Sequence, residues 1–164
     1  MNLIKVVGID PGLANTGVAV VSGLGGEIKS FKYGVIRTKA NQPAAHRLFA
    51  IYNDVRDTLK KEAPDLMVIE DIFSLGRYPK SAIILGKVVG AIMVAGWENK
   101  VEIMEVAVRE AKKILTGNGA ASKDQLERAV RARLGQAGRI RPAHASDALA
   151  LAMTGIYRAW PAGL

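Results

Sequence analysis

The first forty residues alternate between β-rich runs and tight turns, and after residue 41 that rhythm gives way to a helical one. This change of period constrains the fold more than any other feature of the chain. Residues 3–10 and 17–22 are rich in Val and Ile, and flank a loop holding Pro11, Gly12, Asn15 and Gly17, all turn-forming types. A second turn over 23–26 leads into a more polar run at 27–36. Links this short join strands antiparallel, because a parallel pair needs a crossover of a dozen or more residues. The start of the chain is therefore a three-stranded meander.

Beyond it, Asn41 is a helix-capping type and Pro43 suits a first turn, ahead of Leu48, Ile51, Val55 and Leu59 on one face. Pro64 ends that helix. Residues 66–70 (LMVIE) form a short apolar strand, 79–97 a second helix, 101–105 a fifth strand and 107–115 a short helix. Gly117-Asn118-Gly119 breaks the chain, and Ser122 with Gln125 is a capping box opening a helix to about residue 134. A last helix over 144–160 turns Ala145, Ala148, Leu149, Ala152 and Met153 inward. The expected fold is α/β, a mixed five-stranded sheet with helices on both faces. No internal repeat or low-complexity linker interrupts it, so residues 1–164 are read as one domain.

Charge narrows the partners. Twenty-three Lys and Arg against 15 Asp and Glu give a formal net charge of +8, which suits a polyanion, either nucleic acid or an anionic membrane surface. No cysteine is present, which excludes disulfides, thiolate catalysis and Cys-type zinc sites. Residues 81–97 are the most apolar stretch, yet they fall short of the ~20 residues of a membrane span and carry Lys87 midway. A packed helix is expected there, with no membrane. The N-terminal residues lack a basic region, apolar run and small-residue cleavage site, so no signal peptide is read and a cytoplasmic location is expected.

Two strand-like runs end on acids, "VVGID" at Asp10 and "LMVIE" at Glu70. If a right-handed crossover makes the first and fourth strands neighbours, both carboxylates emerge at one end of the sheet. Asp10 alone also suits a turn, whereas Glu is depleted in strands and forms turns poorly. Asp71 next to it falls on the opposite face and is expected to be solvated. His144 and Asp147 share a helix face with Ala148 and Leu151, where a polar pair must be hydrogen-bonded, paired or bound to metal. Taken alone, His144 also suits an N-cap and Asp147 a dipole-favoured first turn. Together the four supply oxygen and nitrogen donors suited to Mg²⁺ or Mn²⁺, and two such ions ~4 Å apart are a recurrent device for phosphodiester hydrolysis.

Four motifs carry a resemblance: "GIDPGLANTG" at 8–17, "VIEDIF" at 68–73, "GNGAASKDQ" at 117–125 and "HASDALALA" at 144–152. In order and spacing the chain resembles the RuvC family of Holliday-junction resolvases. The resemblance implies an RNase H-like fold and a homodimer that makes paired cuts in a four-way DNA junction during recombination and repair. It assigns metal-binding catalytic roles to Asp10, Glu70 and Asp147, with two ions per active site. The family's fourth position is often Asp and here is His144; a nitrogen donor there tilts the preference towards Mn²⁺. Phe73 matches an aromatic that stacks on opened bases, and Lys112 and Lys123 match basic residues near the scissile phosphate. Branch-migration motors and junction-binding proteins are the company such enzymes keep.

Residues 109–141 hold nine bases, including Arg109, Lys112, Lys113 and Lys123, against three acids. That is too lopsided for salt-bridge lacing and reads as a phosphate-binding face. Gly86 and Gly90, with Ala82 one turn earlier, allow close approach of the apolar helix, to the sheet or to a second subunit. Two other classes fit parts of the pattern. GIDPG followed by TG resembles the first phosphate loop of actin-like ATPases, whose second domain 164 residues do not supply. A junction-binding protein without nuclease activity would not need the intact set of acids.

Overall fold

The computed structural model describes residues 2–72 and 79–159, with the side chain of residue 79 excepted. The elements run β1 (Ile4–Asp10), β2 (Asn15–Leu24), β3 (Glu27–Arg37), α1 (Ala44–Glu62), β4 (Leu66–Glu70), α2 (Pro79–Glu98), β5 (Glu102–Val106), α3 (Val108–Thr116), α4 (Lys123–Arg133) and α5 (Ala143–Ala159). The sheet order is β3-β2-β1-β4-β5. β1, β2 and β3 pair antiparallel, and β4 joins β1 in parallel, as does β5 with β4. The meander and the crossover expected from the sequence are both present. Gly25 and Gly26, at φ 58° and 82°, form the two-residue link between Leu24 and Glu27. Glycine is needed there because both central positions of such a hairpin are left-handed.

Two apolar clusters sandwich the sheet. Val7, Ile9, Met67 and Ile69 pack under α1 and α2, through Ile51, Val55, Leu59, Val88 and Ile92. Val6, Val21, Leu66 and Val68 pack under α3, α4 and α5, through Leu115, Leu126, Leu149 and Met153. The strictly alternating membership along β1 and β4 follows from the period of two in a strand. Helices thus lie on both faces, as expected.

Several local expectations need correction. α1 is preceded by Pro43, which makes no side-chain cap bond, so Asn41 does not cap it. β2 begins at Asn15 rather than 17, because Asn15 and Thr16 pair with Arg37 and Ile36 of β3. Gly17 is a strand residue and not part of the turn. Asp71 is half-buried rather than solvated, and its amide donates to the Val106 carbonyl at 2.9 Å. α5 starts at Ala143, which places His144 inside the first turn and not at the flanking cap.

The Ser122–Gln125 capping box is as expected. Gln125 N donates to Ser122 Oγ at 3.1 Å, and Ser122 N donates to Gln125 Oε1 at 2.7 Å. Ser122→Ala is expected to cost about 1 kcal/mol, or roughly 2–4 °C in Tm for a chain of this length. An unchanged thermal melt would mean that tertiary packing alone holds the start of α4.

By length and composition Lys80–Glu98 could cross a membrane, with mean hydropathy 1.5, and 28% of it is buried. Its inner face, Val88, Val89, Ile92 and Ala95, is core. Its outer face leaves Ile83 63%, Val94 59% and Trp97 83% exposed.

Candidate active site

The alternation that builds the core also aims the acids. Val6 and Gly8 of β1 and Leu66 and Val68 of β4 face α5, and the next residues on that face are Asp10 and Glu70. Ile9 pairs with Ile69 in the parallel register, so the acids end side by side and share a hydrogen bond. They lie at the carboxyl ends of parallel strands, the customary place for a site in an open α/β sheet.

Glycines bring α5 down onto them. A methyl group on Gly17 would lie 2.0 Å from the His144 carbonyl oxygen, and one on Gly8 would lie 2.1 Å from that of Ala148. Only a residue without a side chain lets helix backbone sit this close to a strand. His144 Nδ1 consequently reaches Asp10 Oδ2 at 2.6 Å. Asp147, on the same face, receives Lys123 Nζ on Oδ2 at 3.2 Å, from the first residue of α4. All four sequence-predicted donors thus meet at the carboxyl ends of β1 and β4, with Lys123 beside them.

Charge is poorly compensated there. Burial pushes the Asp10 carboxyl up from 3.8 to about 6; the hydrogen bond with Glu70 pulls it back, and the charge of Asp147 raises it again. Burial likewise pushes Glu70 up from 4.5 to about 8, followed by its hydrogen bond with Asp10 and by the charges of Asp10 and Asp147. Lys123 opposes both shifts, and its own ammonium is held above the usual lysine value chiefly by Asp147. Near neutral pH the Asp10–Glu70 pair therefore holds a proton that water-exposed acids would have released. Hard oxygen donors with surplus negative charge are the chemistry that a divalent cation satisfies. Among the described residues no three of these side chains are arranged as a metal cage. They are held in pairs, His144 on Asp10, Asp10 on Glu70 and Lys123 on Asp147.

The remaining predicted residues are placed less directly. Val108 and Ala111 of α3 line a narrow gap with Glu70 and Asp147, and Lys112 follows on that edge, half-buried. Arg109 packs over Gly119, where a methyl group would meet its Cγ at 2.9 Å, and Lys113 is exposed. Among the described residues Arg109, Lys112 and Lys113 make no ion pair with the acids. Phe73 lies outside the described residues. Sequence reasoning overlooked Gly8 and Gly17 as the seats of α5. The available signal was a glycine inside an otherwise β-branched strand, which marks a close backbone approach.

Once this geometry is compared with known proteins, the family profile described as crossover junction endodeoxyribonuclease RuvC matches residues 6–155, all but the two ends of the chain. The chain belongs to the RuvC family. RuvC of Chlorobium phaeovibrioides is 37% identical over 154 residues, covering 93% of this chain and 81% of that protein. RuvC of Treponema pallidum (strain Nichols) is 34% identical over 152 residues, covering 93% and 77%. The solved structure of T. thermophilus RuvC in complex with Holliday junction substrate superposes with a TM-score of 0.90 at 31% identity over 96% of each chain. The sheet with its flanking helices is thus the RNase H-like fold of RuvC, and the actin-like ATPase reading of GIDPG gives way to it.

Proposed function

We propose that the chain is a metal-dependent endodeoxyribonuclease that resolves four-way DNA junctions. One observation carries this reading. In a RuvC-family chain, Asp10, Glu70, His144 and Asp147 converge from three separate elements on one poorly compensated, half-buried point. Asp10, Glu70, Asp147 and His144 would hold two ions, Mg²⁺ or Mn²⁺. A divalent ion bound there supplies charge neutralisation at the scissile phosphate and an activated water. Lys123, exposed and already drawn to Asp147, can reach a phosphate oxygen without leaving the site. His144 orients Asp10 through its 2.6 Å contact, and the free edge of its ring is available as a nitrogen donor. Arg109, Lys112 and Lys113 extend a basic face along α3 for the strand that is cut, and Phe73 stacks on an unpaired base.

Cutting two opposed strands needs two such sites. The exposed apolar face of α2 is the surface for a second copy, since Gly90 has open space beside it and Val94 and Trp97 flank it. The company of a branch-migration motor and of junction-binding proteins, and a cytoplasmic location, belong to the same reading. The test is a labelled four-way junction incubated with Mg²⁺ or Mn²⁺. Paired nicks at symmetric positions are the expected result. Binding without cleavage in either metal would favour a junction-binding protein instead.

His144 offers a second check. His144→Asp is expected to keep cutting and to shift the preference from Mn²⁺ towards Mg²⁺. His144→Ala is expected to lose about 10–100-fold, the usual cost of removing a metal site's supporting contacts. A metal-saturated His144→Ala protein cutting at the native rate would reduce His144 to a packing residue.

A further inference from the structure

Beside the candidate active site lies a second concavity, a cleft of about 680 Å³ that shares Asp147 and Lys123 as its common wall. Its other walls come from the end of β3 at Arg37, the start of α4, and the loop leading into α5 with Arg139 and Arg141. The loop is built rather than loose. Ile140 N donates to Glu127 Oε1 at 3.0 Å, and Gln136 Nε2 donates to the Tyr33 hydroxyl at 3.1 Å. Within the cleft Arg139 is paired with Asp124 at 2.7 Å and Lys123 with Asp147 at 3.2 Å, while Glu127 faces Arg131 at 3.1 Å from outside it. Each acid lining the cleft thus has a cation beside it, and Glu127 Oε2 is buried with no hydrogen-bond partner among the described residues. Two cations are left over, because among the described residues neither Arg37 nor Arg141 has an ion-pair partner. Ser146 also lines the cleft; it is 3% exposed, and its buried hydroxyl has no hydrogen-bond partner among the described residues. Buried polar groups without partners are costly and rare in folded chains.

Two guanidinium groups from different elements, lining one cleft without ion-pair partners, are suited to recognising a phosphate. We propose that this cleft seats a backbone phosphate flanking the scissile linkage, gripped by Arg37 and Arg141. The inference rests on the nuclease reading and deepens it, by placing a further stretch of the cut strand over the loop before α5, in addition to the stretch along α3. Arg37 reaches the cleft because β3 runs on to pair with Asn15 at the very start of β2, two residues before the glycine that lies under His144. Contacts of this kind position the strand without reading its sequence.

The experiment couples protein charge to DNA charge. Junctions carrying one neutral methylphosphonate linkage are walked, linkage by linkage, across the cut position, and affinity is measured for the full chain and for Arg37→Gln and Arg141→Gln. Each variant is expected to bind the unmodified junction about three- to tenfold more weakly, with the salt slope of log K reduced by about 1. At one flanking linkage the neutral substitution should weaken the native chain to the same degree, and should cost the variants nothing more. Arg141→Lys should recover part of the loss, since the charge remains and the fork does not. Additive losses at every linkage, with native cutting intact, would overturn the cleft assignment alone. Failure of the native chain to bind the junction would overturn the nuclease reading along with it.

Discussion

Replacing Glu70 with Gln is expected to lower junction cleavage by about 10³-fold or more, while leaving junction binding within about twofold. The first figure follows because losing a metal ligand forfeits several kcal/mol of transition-state stabilisation, at 1.4 kcal/mol per factor of ten. The second follows because affinity for DNA comes from Lys and Arg on phosphates. The same substitution is expected to raise the Tm of the metal-free protein at pH 8. Folding holds a proton on Glu70 up to about pH 8, whereas an unfolded chain releases it near 4.5. Across that window the native state binds more protons than the unfolded one, so stability falls as pH rises. Asp10, raised to about 6, adds to the loss between about pH 4 and 6. Gln carries no charge to bury and removes the Glu70 part of the slope. The gain should therefore be a few degrees at pH 8 and vanish near pH 4, and divalent metal should stabilise the native chain more than the variant. Cleavage retained with a lowered Tm would show that Glu70 is a structural acid.

Gly17→Ala is the second large effect, and it touches no proposed ligand. The new methyl would lie 2.0 Å from the His144 carbonyl oxygen, so the start of α5 must lift. Overpacking of this kind costs about 1–3 kcal/mol. A shift of about 1 Å at a catalytic group costs on the order of 10²-fold in rate. Cleavage should fall by about that factor while the protein still folds and still binds junctions, because Arg109, Lys112, Lys113 and Lys123 lie on α3 and α4 and only the Arg141 contact adjoins the start of α5. Gly8→Ala, whose methyl would meet Ala148 one turn further along, should lower Tm comparably. Native cleavage by folded Gly17→Ala would mean that α5 can yield without carrying His144 and Asp147 away from Asp10.

Much of this site could be read before any coordinates. Asp10 and Glu70 betrayed themselves as acids ending apolar strands, and His144 with Asp147 as polar residues on the packing face of a helix. The Ser122 capping box fixed where α4 begins, and with it the position of Lys123. Other features were hidden because they depend on partners distant in the chain. Gly17 stood at the boundary of turn and strand until β2 proved to start two residues before it, and Asn41 looked like a cap until Pro43 took that place without a side-chain bond. Arg37 closes a strand and carries no local sign that it will share a cleft with a loop a hundred residues later.

By itself the sequence determined the order and type of the elements, the meander and the four candidate donors, and it permitted a crossover making β1 and β4 neighbours. Each of these follows from local pattern, whether the period of a strand, the period of a helix, or a residue type at odds with its surroundings. Only the tertiary structure decided that β1 and β4 pair, that His144 rests on Asp10, that Lys123 rests on Asp147, and that two arginines without ion-pair partners line one cleft beside them. The contacts of His144 and Asp147 are set by how far α5 sinks onto the sheet at Gly8 and Gly17. That depth is a property of two surfaces in contact, and neither segment encodes it alone.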